Sequence, residues 1–123
     1  MDPLNLVLLQ SDPGTAESLI ANLSTSFRSV RRVGSLEELR NSIAKHRADV
    51  VILDVEKIPF LAIEQLSREF PSVCIVCTHR LADEEMWTTA LNAGAADICT
   101  SSDTRAILAA ALRNVAISRS AAA

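Results

Sequence analysis

The sequence predicts an α/β domain with a doubly wound, five-stranded parallel sheet and helices on both faces. Three observations carry that expectation. Short, unbroken apolar runs alternate with stretches whose apolar residues recur at helical spacing. The run Asp49-Val-Val-Ile-Leu-Asp54 is apolar on both faces of a would-be strand, as in a parallel sheet covered on each side. The third is the nature of the core. The chain of 123 residues is 49% hydrophobic, yet its rings are only Phe27, Phe60, Phe70 and Trp87. An aliphatic interior of this kind suits a layered α/β domain better than a β-sandwich.

Leu4–Leu9 reads as the first buried strand, ended by the breakers of Gln10-Ser-Asp-Pro-Gly14. Asp12 or Thr15 then caps a helix from Ala16 to about Thr25, on the stripe Ala16, Leu19, Ile20 and Leu23. Ser29–Val33 carries Arg31 and Arg32, which marks an edge strand with one wet face. Ser35, with Glu38 three residues on, has capping-box spacing and starts a helix on Leu36, Leu39, Ile43 and Ala44. Asp49–Asp54 is the third strand. Pro59 starts a helix to about Phe70 with the stripe Leu61, Ile63, Leu66 and Phe70, and Pro71 stops it.

Val73–Cys77 is the fourth strand. Asp83 caps a helix through Ala93, with Gly94 closing it. Ala96–Thr100 is the fifth strand, and Ser102 or Asp103 caps a last helix from Thr104 to about Ile117. Residues 1–117 therefore form one domain, and 118–123 are the frayed helix end or the start of a linker. Strict alternation with short connections implies right-handed crossovers and the flavodoxin-like strand order 2-1-3-4-5.

Composition narrows the function. The net charge of -3 leaves no footprint for direct nucleic-acid binding, and no apolar run is long enough to span a membrane. The N-terminal Met1-Asp-Pro-Leu-Asn lacks the positive region of a secretory signal. Three cysteines in apolar runs fit a reducing, cytoplasmic setting. Cys74 and Cys77 have C-x-x-C spacing, but residues three apart on a strand face opposite sides and cannot share a metal. No Gly-rich phosphate loop follows the first strand, which argues against a nucleotide-binding enzyme.

In open parallel sheets chemistry collects at the carboxyl ends of the strands, and Asp54 stands at such an end. Three segments in order extend the observation: Leu6-Val-Leu-Leu-Gln-Ser-Asp-Pro13, Asp49-Val-Val-Ile-Leu-Asp54 and Ala90-Leu-Asn-Ala-Gly-Ala-Ala-Asp97. They resemble the first-strand turn, the phosphoacceptor strand and the fourth-helix end of the receiver domain of bacterial two-component response regulators, the CheY-like family. The resemblance covers essentially the whole chain.

The resemblance implies a phosphoacceptor at Asp54, a phosphoryl-binding hydroxyl at Thr78, with His79 a rival for that slot, and Ser101 where the family has its Lys. Its Mg²⁺ ligands fall on Gln10, Ser11, Asp54 and the backbone of Glu56, with Asp12 a substitute carboxylate one place on. Gln10 and Ser11 are uncharged, Ser102 replaces the family's Pro, and Ile98 replaces its switch aromatic. In the loop after Asp54 the family's Pro falls one residue late, at Pro59, and its Gly position is Ala62. A single carboxylate holds Mg²⁺ poorly, so the metal is doubtful at this site.

Two readings follow. One is a degenerate receiver that is not an enzyme and acts through protein contacts, independently of phosphorylation. The alternative is a working phosphoacceptor, phosphorylated on Asp54 by a histidine kinase. The family commonly dimerises or meets output domains through its fourth helix, fifth strand and fifth helix. Trp87, Ile98, Arg105 and Arg113 are the residues here on that face.

Overall fold

The computed structural model describes residues 4–122, with side chains through Val115. Among the described residues, five strands alternate with five helices. They are β1 (Asn5–Leu9), α1 (Pro13–Leu23), β2 (Ser29–Val33), α2 (Leu36–His46), β3 (Val50–Asp54), α3 (Phe60–Glu69), β4 (Cys74–His79), α4 (Glu84–Ala93), β5 (Asp97–Thr100) and α5 (Thr104–Ala122). All pairings are parallel and the sheet order is β2-β1-β3-β4-β5, as the alternation predicts.

Strand side chains alternate between faces, so each strand feeds two cores. On one face Val7, Leu9, Val51, Leu53, Ile75 and Cys77 pack with residues of α2, α3 and α4, including Leu39, Ile43, Ile63 and Ala90. On the other, Leu6, Leu8, Val50, Ile52, Cys74 and Val76 pack with α1 through Leu19 and Leu23 and with α5 through Ile107 and Ala111. The two cysteines of the C-x-x-C stretch thus belong to opposite cores, as their strand spacing requires. Cys74, Cys77 and Cys99 are buried free thiols.

The helix boundaries differ from the sequence expectation where local chemistry outranks the apolar stripe. Helix α1 starts at Pro13, not Ala16, because proline's fixed φ suits the first helical position and Asp12 caps it. Pro59 is the N-cap of α3 rather than its first residue. With the helix beginning at Phe60, the inward phase falls on Ala62, Ile63 and Leu66, and Leu61 is 64% exposed instead of buried. Phe70 follows the helix as its C-cap and is half-buried.

Ala44 likewise faces solvent. Glu38 completes only half a capping box: its amide donates to Ser35 Oγ, but its carboxylate reaches the Gly34 amide at 3.4 Å. Asp103, not Ser102, caps α5 by accepting from the Ala106 amide. Strand β4 runs two residues past Cys77, to His79, and β5 starts at Asp97 rather than Ala96. Helix α5 continues past Ile117 to Ala122, since Ser118–Ala122 contains no Gly or Pro to stop it; Ala123 lies outside the described residues.

Candidate functional site

The parallel sheet brings the carboxyl ends of β1, β3, β4 and β5 to one edge, and the predicted polar residues meet there. Asp54 is the last residue of β3 and is wholly buried. Its register partner on β4 is Thr78, also wholly buried. Gln10 and Ser11 follow β1, and Ser101 follows β5. The fold therefore assembles Gln10, Ser11, Asp54, Thr78 and Ser101 from four separate chain segments.

Their bonding is specific. Ser11 Oγ donates to Asp54 Oδ2 at 2.5 Å, and the Ser11 amide approaches the same oxygen at 3.4 Å. The Glu56 amide donates to Asp54 Oδ1 at 3.0 Å. A buried carboxylate is costly unless hydrogen-bonded, and here the protein meets that demand with neutral donors. Gln10 bridges outward: its Nε2 lies 3.5 Å from Thr78 Oγ1, and its Oε1 accepts from the Asp12 amide at 3.2 Å. Ser101 Oγ is buried and has no hydrogen-bond partner among the described residues.

Thr78 and His79 separate cleanly. Thr78 faces Asp54 across the strand pair, whereas His79 turns away, its Nδ1 accepting from the Leu81 amide at 2.9 Å and its Nε2 lying 3.9 Å from Glu56 Oε1. Asp12 is spent elsewhere. Its carboxylate accepts from both the amide and the hydroxyl of Thr15 at the start of α1. The Thr15 hydroxyl is the main influence holding the Asp12 carboxyl below its ordinary pKa, followed by the Thr15 amide.

These contacts define the metal-ligand inventory. A hard divalent cation wants several free carboxylate or carbonyl oxygens. Asp54 contributes a carboxylate already bonded on both oxygens, Gln10 Oε1 is engaged by an amide, and Asp12 is a helix cap. The Glu56 side chain pairs with Arg80 at 2.6 Å. Among the described residues, no group of three or more His, Cys, Asp or Glu side chains is placed to hold a metal ion.

Arg80 is the site residue that sequence reasoning missed. It lies two residues beyond Thr78, and its pairing with Glu56 keeps its guanidinium firmly charged, the hydrogen bond being the main cause and the charge of Glu56 the next. Gln10, Ser11, Asp12, Pro13, Glu56, Arg80 and Ser101 line an open cleft of about 600 Å³ above Asp54. A cation two positions past the strand-end hydroxyl was the available signal.

On the predicted interaction face, Trp87 is 49% exposed, and Leu81, in the loop before α4, is 74% exposed. Ile98 is buried, yet it lines a shallow depression with Ala82, Asp83, Glu84 and Trp87. Arg105 is exposed, and Arg113, also exposed, has Nη2 3.4 Å from Asp97 Oδ2.

No family model matches the chain, and a search of curated protein sequences returns no match. Solved structures do match. The chain is similar to the N-terminal signal receiver domain of a two-component response regulator from Bacteroides fragilis, with a TM-score of 0.82, 17% identity, and 93% and 98% of the two chains covered. It is also similar to a CheY-like protein, TadZ, from Pseudomonas aeruginosa, with a TM-score of 0.71, 24% identity, and 91% and 98% coverage. A third, the response regulator DrrB of Thermotoga maritima, gives a TM-score of 0.75 and 20% identity, with 88% of this chain covering 50% of that one. The fold is that of CheY-like receiver domains.

Proposed function

We propose that this chain is a response-regulator receiver module of two-component signalling that works in the cytoplasm. In this reading it regulates an attached or separate partner through protein contacts rather than by cycling through phosphorylation, and it has no enzymatic activity of its own. The observation that carries the reading is the bonding of Asp54. Ser11 and the Glu56 amide already occupy both carboxylate oxygens, where a phosphoacceptor would need a metal and an open in-line approach.

The polar groups around it support the same view. Mg²⁺ does not suit this donor set, because Gln10 and Ser11 bring no charge and Asp12 is committed to Thr15. Ser101 brings a hydroxyl and no cation to the cleft. No helix among the described residues is long and apolar enough to cross a membrane. The partner-facing surface is the one of α4, β5 and α5, where Trp87 stands in solvent and Arg105 and Arg113 are exposed. In the full-length DrrB structure the matching region is half of the chain. That arrangement is the model for an attached output domain, and a second copy of the chain or a histidine kinase are the other partners the surface suits.

One observation favours the rival reading. Thr78 stands directly opposite Asp54, and Arg80 brings a positive charge to the cleft above it. Those are the parts a phosphoacceptor would use on Asp54 with a histidine kinase. Intact-mass measurement decides between the two. The purified chain is incubated with Mg²⁺ and acetyl phosphate beside an Asp54→Ala control. No mass increment is expected; a single phosphoryl increment that vanishes in the control would establish the rival.

A further inference from the structure

A second, smaller cleft lies on the other side of the Gln10-Ser11 turn. It measures about 220 Å³ and sits between the carboxyl ends of β1 and β2 and the loop after β3. Its floor is Leu9 and Val33, its rim includes Gly34, and its two charged lining residues are Arg32 and Lys57. No carboxylate is among its lining residues, although Glu38 reaches the Gly34 amide at its rim and Asp54 holds the Ser11 hydroxyl behind it. Neither cation is neutralised by an ion pair among the described residues, and Arg32 spends one nitrogen on the Gln10 carbonyl at 3.3 Å.

Arg32 and Lys57 are both exposed and line one concave site, two charges of one sign facing the same space. We infer that this cleft is a binding site for a small oxyanion, the phosphate or carboxylate group of a soluble ligand. Arg32 offers the planar fork that matches such a group, and Lys57 adds a point charge. The volume falls below the roughly 300–1,000 Å³ of pockets for drug-sized ligands, so it takes one acidic group rather than a whole cofactor.

The position gives binding a consequence. Arg32 holds Gln10, whose carbonyl accepts from it, whose side-chain amide reaches Thr78, and whose neighbour in sequence, Ser11, bonds Asp54. An anion that draws Arg32 away from Gln10 loosens the turn that covers Asp54. The site thus couples to the candidate functional site through Gln10 and Ser11, the two residues that line both clefts.

The test is an amide NMR titration of the whole chain with inorganic phosphate, and separately with malonate, at constant ionic strength held by sodium chloride. Saturable shifts are expected at Gly34, Lys57 and Ser11, with chloride alone producing none. Arg32→Gln and Lys57→Gln are each expected to weaken binding by about tenfold or more, as loss of a charged hydrogen-bonding partner does. Lys45→Gln, which removes an exposed cation near the end of α2 outside the cleft's lining, is expected to retain binding. Whichever of phosphate and malonate binds more tightly identifies the source of the acidic group. Non-saturating shifts, an unaltered response in both charge variants of a folded protein, or shifts centred on Arg80 and Ser101 would each overturn the assignment.

Discussion

The hydroxyl of Ser11 lies 2.5 Å from Asp54 Oδ2, a bond between residues 43 positions apart in the chain and the tightest contact at the strand ends. It joins the turn after β1 to the end of β3 and takes the place that a charged ligand would occupy. Ser11→Ala leaves one oxygen of a buried carboxylate with only the distant Ser11 amide. The expected cost is about 1.5–3 kcal/mol, the range for hydrogen bonds to charged groups. Urea unfolding measures it, with Ser102→Ala as a control at an exposed serine after β5, expected within about 0.5 kcal/mol of the parent.

Placing an acidic pair at positions 10 and 11 should convert the site into a cation site. In Gln10→Asp/Ser11→Asp, three carboxylates crowd one buried corner and repel one another in the absence of metal. The melting temperature of this variant is expected to fall below that of the parent in EDTA and to rise with added Mg²⁺, by the linkage that stabilises any state binding a ligand. The parent's melting temperature should be indifferent to Mg²⁺ at the same ionic strength. A parent that responds as strongly as the variant would show that its donors suffice as they stand.

The thiols set the alkaline limit of stability. Burial raises Cys77 from 9.0 to about 12, and burial likewise raises Cys74 and Cys99 from 9.0 to about 11. A folded-state pKa above the unfolded one means that the unfolded chain gives up its protons first. Stability is therefore fully retained below pH 9 and declines as pH climbs from 9 towards 11–12. Urea midpoints collected across that window should fall, and a Cys74→Ala/Cys77→Ala/Cys99→Ala variant should show a flatter decline. At pH 8 the thiols of the folded chain should resist alkylation until urea exposes them.

Gly94 closes α4 with φ of 106°, in the left-handed region, so any side chain there is strained. A Cβ at this position would lie 2.5 Å from Ser67 Oγ and 2.7 Å from Ser67 Cβ on α3. Gly94→Ala is expected to cost more than the roughly 1–2 kcal/mol of the backbone term alone. Ser67→Gly removes the collision at its own cost of about 1 kcal/mol for a glycine within α3, so in a Ser67→Gly background Gly94→Ala should cost only the backbone term. Thermal unfolding of Gly94→Ala, Ser67→Gly and the double variant tests this, and an equal cost of Gly94→Ala in both backgrounds would put the whole loss in the backbone.

The architecture was legible because two periodicities do not resemble each other. A run such as Val50–Leu53 can only be a strand buried on both faces, and Asp54 at its end is placed by the same pattern. What the pattern could not supply is pairing across the sheet. Gln10 meets Thr78 from 68 positions away, and Arg80 meets Glu56 from 24. Neither contact leaves a trace in local spacing. Leu61 failed for a related reason: the inward face of a helix depends on where its first turn begins, and Pro59 as cap rather than first residue rotated the stripe. The site residues were thus readable as types, while their bonding, and with it the masking of Asp54, became visible only in three dimensions.

Both margins of the sheet bear on how another protein could join it. Strand β2 borders one side and carries Arg31 and Arg32, whose charged side chains stand exposed beside its unpaired backbone. Strand β5 borders the other side and is four residues long. Charge on one margin and brevity on the other are the features that discourage an incoming strand from extending a sheet. Under the proposed function, a partner is therefore expected to gain little from main-chain pairing and to depend on side-chain contacts, its affinity falling with the loss of an anchoring ring or charge.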